Sequence, residues 1–169
     1  MKTFKQFLDE SSLSRIKSKS DKGGMAIISG SRGDKSSKEN KARAKQLDRD
    51  IKGKGLPGAT KVSGRWDEKD KKTGETKKVK ERSHVVTSCK KGKRKFKKAI
   101  KALGKKYGQD AVLTQTKKTG TVAATRKGGL GKDSRGKNVK VAKAGKFRPG
   151  RSSPEGDTKI KGKTFTYEK

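Results

Sequence analysis

The chain has 169 residues, 50 of them Lys or Arg against 17 Asp or Glu, for a net charge of +33. Only 25% of its residues are hydrophobic, about half the usual share, which excludes a core running its whole length. No apolar run approaches the roughly 18 residues of a membrane span, and the one Cys and one His exclude a disulfide framework and an ordinary four-ligand zinc site.

Residues 1–10 are neutral overall, with Phe4, Phe7 and Leu8 on one face of a short helix. They are too polar for a secretory signal. A Ser, Lys and Gly rich linker covers 11–24. Met25 to Ser29 reads as a strand. Ser36 and Glu39 have capping-box spacing, opening a helix lined by Ala44, Leu47 and Ile51 and ended by Gly53, Gly55, Pro57 and Gly58. Strands follow at 61–66 and about 79–88, joined by a polar turn over 67–76. A helix is predicted at 93–107, where Phe96, Ala99, Ile100, Leu103 and Tyr107 form one apolar stripe among lysines. Residues 111–116 and 121–125 make a hairpin.

The order β-α-β-β-α-β-β, with an optional C-terminal strand, predicts an α+β fold: a small mixed sheet with two helices plus disordered basic segments. The expected division is 25–125 for the α+β domain, 126–158 for a basic flexible segment nearly without apolar side chains, and 159–169 for a closing strand.

The chemical inventory is thin. His84 and Cys89 are five residues apart, on opposite faces of a strand, so His84 is expected on the sheet surface and Cys89 half-buried. Gly131 to Lys137 has phosphate-loop spacing, but Asn138 stands where Ser or Thr is needed and no apolar strand precedes it. Asp67, Glu68 and Asp70 are crowded by lysines and read as a solvated turn. No catalytic, cofactor or metal site assembles, and no enzyme is expected.

The charge points to a polyanion. Lys93, Arg94, Lys97, Lys98, Lys101 and Lys105 surround the second helix, and Lys127, Lys132, Arg135, Lys137, Lys140, Arg148 and Arg151 are spaced by glycines. These residues are expected to meet nucleic-acid phosphates without sequence preference. An anionic membrane fits less well, because no long amphipathic helix pairs large apolar residues with the lysines.

The leader Met1-Lys2-Thr3, with Phe4, Phe7 and Leu8-Asp9-Glu10, resembles the capsid-targeting leaders of internal head proteins of T-even-type bacteriophages. That resemblance implies cleavage by the prohead protease between Glu10 and Ser11, with Leu8, Asp9 and Glu10 recognised. It implies a virion protein packed inside the capsid with double-stranded DNA, contacting protease and scaffold during assembly in the host cytoplasm, and injected to protect DNA or act on a host protein. A ribosome- or RNA-associated basic protein is the alternative that composition permits. The remainder resembles, more loosely, a small uncharacterised domain of phage and bacterial proteins, through Arg32-Gly33, Glu39-Asn40, Gly64-Arg65-Trp66, Glu81 and Ser83, Leu103-Gly104 and Tyr107-Gly108-Gln109. That resemblance implies a fold unit and no catalytic role.

Overall fold

The computed structural model describes residues 16, 18, 21, 24–69, 75–88, 92–116, 119–149, 156–160 and 163–168. It is an α+β fold of two helices and eight strands among these residues: β1 (Met25–Ser29), α1 (Ser37–Gly53), β2 (Thr60–Lys69), β3 (Thr76–Thr87), α2 (Lys93–Lys106), β4 (Ala111–Gln115), β5 (Gly120–Ala124), β6 (Val141–Pro149), β7 (Gly156–Ile160) and β8 (Lys163–Glu168). Every ladder is antiparallel, and the strands close into a barrel in the order β1-β3-β2-β7-β8-β6-β5-β4. Closure leaves no free sheet edge.

Strand alternation sorts the apolar residues into two sets. Met25, Ile27, Val62, Val85 and Leu113 face the lumen, with Val122 and Ala144 packed against them. Ala26, Ile28, Val86 and Val112 face outward and are covered by Leu47 and Ile51 of α1 and Phe96, Ile100 and Leu103 of α2. The predicted stripe of α2 is therefore its buried face. Gly104 lets that face sit close to the sheet, since a Cβ there would collide with Val112 Cγ1 and would lie 2.8 Å from Thr125 Cγ2. The capping box of α1 forms as expected: Glu39 N–H donates to Ser36 Oγ at 3.2 Å, and Ser36 N–H donates to Glu39 Oε2 at 2.8 Å.

Three readings differ from the structure: Asp67 and Glu68, read as part of a turn, belong to β2, opposite Lys78 and Lys77 of β3. His84 is buried beneath α1 rather than on the sheet surface, because even-numbered residues of this part of β3 face the helices. Its Nε2 lies 3.2 Å from Asp48 Oδ1, without the alignment of a hydrogen bond. β6 and most of β7 fall within 126–158, and β6 joins β5 through Thr121↔Lys143, Val122↔Ala142 and Ala123↔Val141. Cys89 and Asp70 lie outside the described residues.

Candidate active site

One mouth of the barrel opens into a cavity of about 620 Å³, within the usual range for a small-molecule site. Four chain segments build it. The end of β1 and the loop after it supply Ser29, Ser31, Arg32, Gly33 and Asp34; β3 supplies Glu81 and Ser83; the turn after α2 supplies Gly108, Gln109 and Asp110; Leu113 and Val122, with Ile27, form the apolar wall.

Three carboxylates surround this mouth. Arg32 Nε donates to Asp34 Oδ1 at 2.7 Å and Arg126 Nε to Asp110 Oδ1 at 2.6 Å. The Arg32 hydrogen bond holds the Asp34 carboxyl below the usual range. Glu81 sits opposite Gly64 of β2 and lines the cavity. It is the half-buried carboxylate of the three, whereas Asp34 and Asp110 are exposed.

The walls are held by hydrogen bonds. Ser29 N–H donates to Gln109 Oε1 at 3.0 Å, joining the end of β1 to the turn after α2. Thr125 Oγ1 donates to the Gln109 carbonyl. Gly108 takes φ +71°, a backbone conformation that favours glycine, and its Cβ position lies 2.6 Å from the Arg32 guanidinium. From α1, Arg43 Nε donates to the Gly30 carbonyl at 2.7 Å and Nη2 to the Tyr107 carbonyl at 2.6 Å. Its guanidinium also lies over the Tyr107 ring, 5.4 Å from the centroid. Tyr107 Oη donates to Asp50 Oδ2 at 2.7 Å, and Lys106 Nζ lies 2.7 Å from the same oxygen. Burial, with the Asp50 carboxylate second, pushes the phenol pKa well up. Lys106 lowers that of Asp50.

The residues expected to hold nucleic acid are elsewhere. Arg94, Lys97, Lys98, Lys101 and Lys105 are exposed on α2, which Lys93 begins. Lys127, Lys132, Arg135, Lys137 and Lys140 are exposed between β5 and β6, and Arg148 belongs to β6. None is among the described residues lining the cavity. Arg151, and the processing residues Leu8, Asp9, Glu10 and Ser11, lie outside the described residues. Among the described residues no group of three His, Cys, Asp or Glu converges as a metal site, and no helix is long and apolar enough to cross a membrane.

The model of the S-adenosylmethionine lyase family matches residues 26–169. The chain belongs to that family. A phage SAM lyase solved in complex with S-methyl-5'-thioadenosine is similar at 17% identity, over 71% of this chain and 85% of that chain, with a TM-score of 0.41. No curated protein matches this chain.

Membership in a lyase family corrects the functional reading of the sequence. The chain is not a T-even-type internal head protein, its function is not that of a DNA-binding virion protein or of an RNA-associated basic protein, and the expectation of no enzyme is overturned. The charge and the leader supported those readings, but the match spans β1 to β8 and excludes the leader. In the sequence, the cavity residues Arg32, Gly33, Glu81, Ser83, Gly108 and Gln109 read only as parts of a fold unit. Their signal was present, scattered over 78 positions in three short motifs. What brings them together is strand pairing, which no local pattern encodes.

Proposed function

We propose that this lyase-family chain cleaves S-adenosylmethionine in the cavity at the barrel mouth, by ring closure of the methionyl chain. The observation that carries the proposal is the gathering of Asp34, Glu81 and Asp110 around a cavity whose inner wall is Ile27, Leu113 and Val122, in a protein with only 17 acids. A cationic substrate needs such a place in a chain of this charge, because most of the molecule repels it.

The substrate carries a sulfonium, an ammonium and a carboxylate. Its carboxylate oxygen can reach Cγ to form a five-membered ring. The new Cγ–O bond forms as Cγ–S breaks, and the bonding pair goes to sulfur. The products are the neutral thioether S-methyl-5'-thioadenosine and an aminolactone. No proton moves and no water is consumed.

The protein's part is to bind, orient and exclude water. The ammonium keeps its charge throughout, and Glu81 is placed to hold it. The guanidinium of Arg32 is occupied by Asp34 and does not sequester the attacking carboxylate. Opposite charges on carboxylate and sulfonium disappear in the transition state, so exclusion of water by Ile27, Leu113 and Val122 favours reaction. Holding the chain bent supplies the advantage of an oriented intramolecular attack.

The test is incubation with S-adenosylmethionine in ¹⁸O-water, followed by NMR and mass spectrometry. The sulfonium methyl signal should convert to a thioether methyl, and the oxygen bonded to Cγ should remain ¹⁶O. An unchanged sulfonium signal, or ¹⁸O at Cγ, contradicts the proposal.

A further inference from the structure

We infer that the Ser83 hydroxyl recognises the base of the nucleoside, so that the substrate enters base first and leaves its charged end at the mouth. The inference rests on the cavity being the S-adenosylmethionine site. Ser83 lies on β3 directly opposite Ser29 of β1, two residues deeper than Glu81 on the same face, and is only 2% exposed. The two serines are not equivalent. The Ser29 hydroxyl donates to the Arg82 carbonyl at 2.9 Å and accepts from Ser31 N–H at 3.0 Å, while the Ser83 hydroxyl has no hydrogen-bond partner among the described residues and lines the cavity.

A hydroxyl that faces a cavity without a protein partner is free to hydrogen-bond what enters it. A ligand that enters the cavity supplies the missing partner. The Gln109 amide adds a second donor. Its oxygen is fixed by the Ser29 N–H, so its NH₂ points the other way, with no partner among the described residues. Between these donors stand the apolar side chains of Ile27, Leu113 and Val122. A flat heteroaromatic ring with acceptor nitrogens on its edge fits that combination, as a purine has. An ammonium has no lone pair to accept from the Gln109 NH₂, and the positive charge of a sulfonium makes its remaining lone pair a poor acceptor. The carboxylates occupy the mouth, which leaves the cationic end outermost.

The experiment uses S-methyl-5'-thioadenosine, which has the nucleoside and lacks the ammonium and carboxylate. Its affinity is measured by calorimetry for the whole chain, Ser83→Ala, Ser83→Thr and Glu81→Gln, with thermal melts to establish that each is folded. Ser83→Ala should bind the thioether nucleoside about tenfold more weakly. It should also raise KM for S-adenosylmethionine about tenfold while leaving kcat near that of the parent chain. Ser83→Thr, which keeps the hydroxyl, should recover most of the loss, and Glu81→Gln should bind the nucleoside as the parent does. If the parent chain turns over S-adenosylmethionine and Ser83→Ala binds the nucleoside as tightly as the parent, base recognition by Ser83 is overturned and the activity stands. If the parent chain neither turns over S-adenosylmethionine nor binds the nucleoside, both fall.

Discussion

His84 is the one histidine of the chain, and it is sealed between β3 and α1 at 1% exposure. Burial is the main reason its pKa lies below the ordinary 6.5. Asp48 opposes that shift and Lys61 adds to it. The unfolded chain therefore binds the proton more readily than the folded one. Stability is fully present above about pH 6.5 and is lost as the pH falls through the depressed folded value. The carboxylates of Asp34, Glu39 and Asp50 are held below their usual values, so they leave the window from pH 5 to 8 to His84. Urea midpoints across that window should fall toward pH 5, and His84→Leu should flatten the profile. A profile that stays sloped in His84→Leu would show that another group is responsible. Sequence reading put His84 on a strand but on the wrong side of it. The position alone says nothing about which face a helix 36 residues upstream will cover.

At the scale of elements, α2 was legible because its stripe repeats every three or four residues and needs no distant partner to be recognised. Phe96, Ile100 and Leu103 are each at most 2% exposed. Phe96→Ala should cost about 3–5 kcal/mol, read as a drop in thermal or urea stability, and an unchanged midpoint would mean that the stripe is not core. The strands of the C-terminal half are harder to read, since β6 interleaves Lys143, Lys146 and Arg148 with Ala142, Ala144 and Gly145 and shows no apolar alternation. Its place is set by pairing with β5 and β8. Arg43 shows how one helix can serve the site without lining it. Its two hydrogen bonds fix the carbonyls of Gly30 and Tyr107, next to the two loops that form the cavity wall. Arg43→Ala should lower stability by about 2 kcal/mol and lower kcat about tenfold. Arg43→Lys keeps the charge but not the fork, and should recover only part of either loss. An Arg43→Ala chain with full kcat would confine the residue to folding.

Across the whole molecule, charge dominates the composition while strand closure places the chemistry. The barrel joins residues 25–29 to 83–87 and 113–115, separations that composition and periodicity do not report. The mouth is therefore not legible in the sequence, although each of its short motifs is. The charge has its own consequence. Self-repulsion at +33 exceeds what a few exposed ion pairs return, so added salt should raise the thermal midpoint. A midpoint that falls with salt would mean that the Arg32–Asp34 and Arg126–Asp110 pairs outweigh the repulsion. The most direct test of the account is the activity of Glu81→Gln on S-adenosylmethionine, beside a chain with Lys98 and Lys101 changed to Gln on the far face of α2. Loss of one charged hydrogen bond to the ammonium predicts a fall in kcat/KM of about 10- to 100-fold for Glu81→Gln, with the lysine variant unchanged. Equal activity of Glu81→Gln and the parent chain would contradict the placement of catalysis at the barrel mouth.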